Sequence, residues 1–526
     1  MQQSKLSGYN FSHVREEGAH IKTTNGKASG PLSFMSLFDQ TGEVISQASR
    51  RGAQLGAMNV SHPDIEKFIN FKSSLNQRNE RLVEEYSRNL KRINSELNGT
   101  KYEKVLKKTL MDDQLTHFNV SVLFTDEFME AVCEDKEWGL VSPTTGCVVK
   151  TVRAKDILRK VAEQAWESGD PGAMFLSAIN KDNMVKYLEY IEVSNPCGEV
   201  PLLTNESCIL ASLNLKKYYN SVSNEIDYEL LKENTKLLTR FLEDVVEVTE
   251  APLLKINEKT KSLRRLGLGV LGWADLLIDL GIPYDSDDAL ELGKYLSWFI
   301  SFHSWETSFE LAKERGHFSA YEKELADMGV VYKVLYESPY GISEINKDDI
   351  YNIGVRNVAT TSIAPTGSIA ILGGVNSSIE PFFALAYKRN ITEGVGNIAK
   401  DSIFEINPAL ESKLKEAGYT KDETFEILEH VNSNGTLSGC SLVSRELQVL
   451  FKIANEIHWK RHVDMQAAWQ TYVSNAISKT VNLPENSRVE DIYNIFIYMW
   501  EMGIKGSTVY RNNSKSFQIL EQPQGK

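Results

Sequence analysis

Short apolar runs alternate with longer amphipathic ones along this chain. Asn119 to Phe124 reads NVSVLF and Thr360 to Ala364 reads TTSIA, both rich in β-branched residues and of strand length. Asp227 to Val248 and Ile453 to Ala476 repeat apolar residues at helical spacing and predict helices. Such alternation predicts an α/β architecture. From about Lys72 to Gln114 the texture changes. Leu82, Tyr86, Leu90 and Ile93 recur at helical spacing among Glu, Lys, Arg and Asn, and Asn98-Gly99 breaks the run. Two amphipathic helices joined by a turn are expected there, with their charge on a solvated face rather than a partner surface. Gln518 to Lys526 is polar and expected to fray.

Composition narrows the class. The chain has 526 residues, 42% hydrophobic and 25% charged, which is the balance of a globular protein with room for one large α/β domain or two to three ordinary ones. Its net charge of −13 argues against a bulk nucleic-acid binder, though not against a local basic site for nucleotide phosphates. No run of 18 apolar residues and no secretory signal is visible, so neither a membrane span nor export is expected and a cytoplasmic protein is. The five cysteines, Cys133, Cys147, Cys197, Cys208 and Cys440, are odd in number and widely spread, with no CxxC. They do not read as a disulfide framework or a zinc ribbon.

Candidate chemistry concentrates in Asn195-Pro196-Cys197-Gly198-Glu199, with Cys208 eleven residues beyond the first cysteine. Pro196 and Gly198 exclude a helix interior. An extended segment would put Asn195, Cys197 and Glu199 on one face: an amide, a redox-capable sulfur and a titratable carboxylate. Pro196 stiffens the segment and Gly198 lets a ligand approach closely. The plain alternative is a buried cysteine beside a surface glutamate.

Other motifs divide. Gly267 to Gly272 matches GxGxxG, but charged residues from Lys255 to Arg265 precede it, so close helix packing is the expected use rather than dinucleotide binding. Pro365-Thr366-Gly367-Ser368, followed by apolar Ile369 to Leu372, reads as a strand–turn–helix junction. It is either a plain helix cap or a phosphate site. Gln47, Arg50 and Arg51 suit phosphate and base contacts, or else form an exposed basic turn. His458 and His462 share i, i+4 spacing without the Glu of HExxH or a third ligand, so a structural role is expected and no metal site. There is no GxxxxGK[ST] and no DxHxxG.

Taken together, NPCGEVPLLTNESCILASLNL from Asn195 resembles the finger loop of a ribonucleotide reductase catalytic subunit. Similar blocks follow in family order: GYNFSHVREEGAHIKTTNGKASGPLSFMSLFD from Gly8, SRRGAQLGAMNVSHPDIEKFI from Ser49, HFNVSVLFTDEFMEAV from His117, RRLGLGVLGWADLL from Arg264, TTSIAPTGSIAILGG from Thr360, EPFFALAYKR from Glu380, ISKTVNLPENSRVEDIY from Ile477 and KGSTVYRNNS from Lys505. The details most resemble the adenosylcobalamin-dependent class. The resemblance implies a ten-stranded α/β barrel over residues 1–511 with the finger loop through its centre, a helical insertion at about 72–116 and a polar tail at 512–526.

That resemblance also implies roles. Cys197 would carry a transient thiyl radical, Glu199 would accept the 3′-hydroxyl proton, and Asn195 would hold the ribose hydroxyls and Glu199. Cys208 would be one of two reducing thiols. Asn195 to Glu199 and the loop Pro365, Thr366, Gly367, Ser368 and Ile369 would bind a ribonucleotide, expected to be a diphosphate. Gln47, Arg50 and Arg51 would relay the identity of deoxynucleotide or ATP effectors. The family's second reducing cysteine lies upstream of the GYNFS block, where this chain has only Met1 to Leu6. The expectation is therefore the C-terminal portion of a split or truncated enzyme, completed by an N-terminal fragment, homodimeric, and served by an external thiol reductant. Thr508-Val509-Tyr510-Arg511 carries one tyrosine where reductases fed by a metal-radical subunit carry a pair, which favours adenosylcobalamin as the radical source. A subunit fed by such a partner, and an inactive nucleotide-binding fragment, are the alternatives.

Overall fold

The computed structural model describes residues 6–44, 53–72, 118–392, 399–514 and 520–521. Its framework is a set of parallel strands in two halves. In the first half β1 (Leu6–Asn10), β2 (Ala53–Asn59), β3 (Phe118–Phe124) and β4 (Gly172–Phe175) pair side by side in parallel, with Gly8 beside Leu55, Gly56 beside Val120 and Leu123 beside Met174. β3 is the predicted NVSVLF strand, buried at nearly every position. A strand covered on both faces reads as a continuous apolar run for that reason.

A hairpin, β5 (Val193–Ser194) and β6 (Pro201–Leu202), carries the finger loop at its tip. It rests on β1: a Cβ on Gly8 would stand 1.9 Å from the Ser194 carbonyl oxygen, so only glycine admits this approach.

The second half contains β7 (Ile209–Asn214), β8 (Leu266–Leu271), β9 (Thr480–Leu483) and β10 (Gly506–Arg511). β7 pairs with β8 in parallel, and so does β9 with β10. The TTSIA segment bridges the two pairs, Thr361 beside Leu268 and Ile363 beside Ile477, both parallel. It is extended as expected, but it makes single bridges rather than a continuous ladder. β10 then meets β4 antiparallel, Ser507 beside Ala173. Two parallel halves thus run in opposite directions and join at β4 and β10. Among the described residues no pairing joins β7 to β1, so the ten-stranded ring is seen as an open succession of strands.

The GxGxxG expectation is corrected here. Residues 266–271 are strand β8, not a packed helix. Its glycines serve strand approach: a Cβ on Gly269 would lie 2.2 Å from the Ser362 carbonyl oxygen.

Helices cover the strands. α1 (Ala154–Ser168) turns Ile157, Leu158, Val161, Ala162 and Ala165 inward against α6 (Val489–Glu501), with its charged positions outward. α2 (Tyr228–Val248) matches the predicted helix, with Asp227 as a side-chain cap on the Leu230 N–H. α3 (Asp287–Arg315) is buried on most sides between α2 and α5 (Trp459–Gln470), as its lack of a polar stripe requires. Its serines reach outward. Ser297 donates to the Trp469 carbonyl and Ser301 to that of Tyr472, while Ser304 bonds Thr360. The predicted helix from Ile453 to Ala476 is shorter than expected: the chain turns at Ala454–Glu456, starts α5 at its His458 cap, and leaves it after Gln470. Ser474 and Asn475 instead form a bend bonded to Thr361. The insertion expected at about 72–116 lies outside the described residues apart from Lys72. Among the described residues no helix is long and apolar enough to cross a membrane.

Candidate active site

The finger loop is a tight turn, which corrects the extended reading. The Gly198 N–H donates to the Asn195 carbonyl at 3.0 Å, and Gly198 has φ +83°, a conformation that favours glycine. Asn195 closes the loop from the other side, its Oδ1 accepting from the Val200 N–H at 3.0 Å and from Ser194 Oγ. Side chains therefore do not alternate as on a strand. Pro196, Cys197 and Gly198 form the tip, and Asn195 and Glu199 form the stem.

Both halves of the fold hold this loop. From β3, Asn119 Nδ2 donates to the Pro196 carbonyl at 2.7 Å. From the second half, the Ala476 N–H and Ser362 Oγ both donate to the Glu199 carbonyl, each at 2.9 Å. The tip opens onto a cavity of about 570 Å³ at the junction of the halves, whose wall includes Asn119, Ser121, Lys479, Thr480, Asn482 and Tyr510.

Electrostatics set the protonation of the loop. Cys197 has accessible surface, yet it faces a cavity rather than the molecule's outside, and loss of solvation pushes its thiol from the ordinary 9.0 up to about 12, with the Glu199 charge adding to the rise. At neutral pH it is a thiol. Glu199 is 2% exposed, and one carboxylate oxygen, Oε2, has no partner. Burial raises its proton affinity, and a hydrogen bond from Asn195 opposes that rise. An unpaired buried oxygen of this kind is poised to take a proton from something that enters. Cys208 stands just before β7, half-buried, with its sulfur against the Ile209 carbonyl; burial raises its thiol strongly, opposed first by Arg265. The field of Glu199 reaches both thiols. Cys208 is not in the wall of the Cys197 cavity.

Such a thiol, too weakly acidic to act as an ionic nucleophile, beside a proton-hungry carboxylate, suits hydrogen-atom transfer coupled to proton transfer better than acyl or phosphoryl chemistry. The whole framework, residues 7–510, matches the model of the ribonucleotide reductase barrel domain. The chain belongs to the ribonucleotide reductase barrel-domain family. It is 38% identical over 515 residues to the vitamin B12-dependent ribonucleoside-diphosphate reductase of Thermoplasma acidophilum, covering 98% of this chain and 58% of that protein. It is 35% identical to the protein of the same description from Mycobacterium tuberculosis, covering 98% of this chain and 64% of that one. The chain therefore spans less than two thirds of the length of either relative. The solved class Id ribonucleotide reductase alpha subunit of Actinobacillus ureae shares the fold, with a TM-score of 0.66 over 96% of this chain and 78% of that one at 21% identity.

Within this reductase barrel, the loop from Pro365 to Ile369 follows the bridging segment directly and opens a short helix, α4, at Gly367–Gly373. Of the two readings left open by the sequence, a threonine side-chain cap is not realised. Thr366 adopts φ +52°, and its Oγ1 accepts from the Ser378 N–H at 2.7 Å instead of from the helix. Pro365, Gly367, Ser368 and Ile369 are exposed. Gln47, Arg50 and Arg51 lie outside the described residues. His462 is structural: its Nε2 donates to the Ala454 carbonyl, which leaves Nδ1 to face Lys479 Nζ at 3.3 Å. His458 caps α5. Among the described residues no group of three potential metal ligands gathers.

Several residues of the site escaped the sequence reading. Ser362 and Ala476 hold Glu199 from segments far apart in the chain. Lys479, buried in the cavity wall, bonds Glu380 at 2.5 Å and the Thr480 carbonyl at 3.1 Å. Both Lys479 and Glu380 fall in blocks that carry the family resemblance, but nothing local distinguishes a buried paired lysine from an exposed one.

Proposed function

We propose that this chain is the catalytic barrel of a ribonucleotide reductase that converts a ribonucleotide, a diphosphate by the description of its relatives, to the 2′-deoxyribonucleotide. The observation that carries the reading is the finger-loop tip: a protonated thiol on a cavity, with a buried carboxylate two residues away whose second oxygen is unpaired.

In this reading Cys197, as a thiyl radical, takes the 3′ hydrogen of the ribose and later returns it. Glu199 Oε2 accepts the 3′-hydroxyl proton, and Asn195 keeps that carboxylate oriented. The 2′-hydroxyl leaves as water, and two thiols supply the two electrons as they become a disulfide. Cys208 is one. Cys133 and Cys147 are exposed and Cys440 is buried in the core, and none is placed beside the finger loop by the resemblance, so the second thiol is assigned to a separate N-terminal fragment. An external thiol then restores both. Pro365 to Ile369 receives the diphosphate at exposed backbone and hydroxyl groups, while Gln47, Arg50 and Arg51 answer to a deoxynucleotide or ATP effector, with a homodimer as the working unit. A nucleotide substrate puts the activity in the cytoplasm.

Adenosylcobalamin is the proposed radical source, and the residues present fit it. The cavity at Cys197 has room for a nucleoside but not a corrin ring, so Thr480, Asn482 and Tyr510 would hold the adenosyl end. When bound, the group supplies the one-electron chemistry that removes the hydrogen atom from the Cys197 thiol.

The test is release of tritium to water from 5′-tritiated adenosylcobalamin in the presence of this chain, a ribonucleoside diphosphate and an effector. That exchange needs the Cys197 S–H but not the reducing pair. Release that disappears in Cys197→Ala supports the reading. Release unchanged in that variant, or none even with an N-terminal reductase fragment added, would overturn it.

A further inference from the structure

The finger loop leaves the cavity at Glu199 and reaches Cys208 through a turn whose geometry depends on one buried cation. Arg265, 5% exposed, lies just before β8. Its Nε donates to Glu206 Oε1 at 2.7 Å and its Nη1 to Asn475 Oδ1 at 2.9 Å. The Glu206 side chain is fully buried, and its other oxygen accepts from the Leu203 N–H at 2.9 Å, which closes the turn before Cys208. Asn475 is fixed in turn, donating through Nδ2 to the Leu266 and Thr361 carbonyls. Its neighbour Ala476 holds the Glu199 carbonyl. Cys208 and Arg265 each precede the first pair of the β7–β8 ladder, Ile209 beside Leu266, and the Arg265 charge acts on the Cys208 thiol.

We propose that Arg265 is a positioning residue of the reductase site, its guanidinium tying the Glu206 turn to the Asn475 bend so as to hold the Cys208 thiol at a set place relative to the Cys197–Glu199 tip. This rests on the ribonucleotide-reduction reading for its functional part. The fork is the reason for arginine: two donors leave it in different directions toward two fixed acceptors, and a lysine ammonium at the same place reaches one of them. A buried ion pair is not needed for stability as such, since an apolar pair can often replace it, but it does specify one geometry.

The experiment uses Arg265→Lys in the full chain. Native-state alkylation of each cysteine by iodoacetamide is followed by mass spectrometry, with turnover measured alongside. Loss of one charge-assisted hydrogen bond should speed local opening, so Cys208 is expected to alkylate about tenfold faster or more. Cys440, buried with its backbone bonded to Leu437, Val443 and Gln448 rather than to the Glu206 turn, is expected to change by less than about twofold, which separates local release of Cys208 from general loosening. In turnover, kcat should fall about tenfold with KM within about twofold, because Arg265 does not line the Cys197 cavity. Should Arg265→Lys not fold, Glu206→Gln, which keeps a neutral acceptor for the guanidinium, is measured in the same way. Cys208 labelling within about twofold of the native rate, or Cys208 and Cys440 rising together, would sink the proposal. If the unaltered chain, supplied with cofactor and partner fragment, reduced no ribonucleotide while Cys208 labelling changed as expected, the reductase reading would fail and the positioning role would stand.

Discussion

The protonation state of Cys197 is the property on which the chemistry turns, and it can be measured without turnover. At pH 8 an ordinary cysteine of pKa 9.0 is about 9% thiolate, whereas at about 12 the thiolate fraction is about one in ten thousand, a deficit of about 900-fold. A more basic thiolate is intrinsically more nucleophilic. With a Brønsted slope of about 0.45 this returns about 20-fold over that span. Cys197 in the native chain should therefore react with a disulfide reagent about 40-fold more slowly at pH 8 than the same residue in the urea-unfolded chain. The native rate should keep rising tenfold per pH step to beyond pH 10, where the unfolded rate has levelled. Glu199→Gln removes the carboxylate charge, the second cause of the raised value, and should speed native Cys197 while leaving the unfolded rate alone. Rates are read by the mass of the Cys197-bearing peptide, with Cys197→Ala as the blank. A native rate within about threefold of the unfolded one at pH 8, levelling near pH 9, would refute the argument that the cavity desolvates this thiol.

Other consequences follow from the same geometry. Glu199→Gln should lower kcat by about 100-fold or more with little change in substrate binding, because the amide keeps the shape but cannot accept the proton. Since burial raises Glu199 and only its ionised form is a base, activity should rise with pH through that raised value, and the acid limb of kcat/KM should lie above the ordinary carboxylate 4.5. A Cβ on Gly267 would sit 2.4 Å from Leu210 Cδ2, 3.1 Å from Ser362 Cβ and 3.3 Å from Cys208 Sγ. Gly267→Ala should therefore cost about 1–3 kcal/mol in urea unfolding and alter Cys208 labelling; an unchanged midpoint would mean that Leu210 gives way freely. Glu243, fully buried, accepts from Arg264 at 2.6 Å, Arg356 at 2.7 Å and Asn357 at 2.8 Å. Glu243→Ala leaves the part-exposed Glu247 as the remaining carboxylate partner of both arginines and should destabilise by up to about 3 kcal/mol in the same unfolding measurement.

Local sequence determined a good deal. NVSVLF had to be a largely buried strand because its valines, leucine and phenylalanine outnumber its polar positions, and Asp227 had to start a helix because its carboxylate can cap the first turn. Asn-Pro-Cys-Gly-Glu had to be a non-helical segment; its residue types alone left a plain buried cysteine open, and the roles proposed for it rest on the resemblance of the surrounding blocks. What those residues do to one another was not. A tight turn rather than an alternating strand followed from Asn195 folding its amide back onto Val200. The GxGxxG run became a strand because its glycines let Ser362 approach, a contact between residues almost a hundred apart. Thr366 gave up capping its own helix for the Ser378 N–H. Above all, the reactivity of Cys197 and Glu199 comes from desolvation and from the anchors Asn119, Ser362 and Ala476, brought in from both halves of the fold. Periodicity and propensity report what a segment prefers by itself, whereas burial and hydrogen-bond partners are set by whichever segments fold against it, and only the tertiary structure decides those.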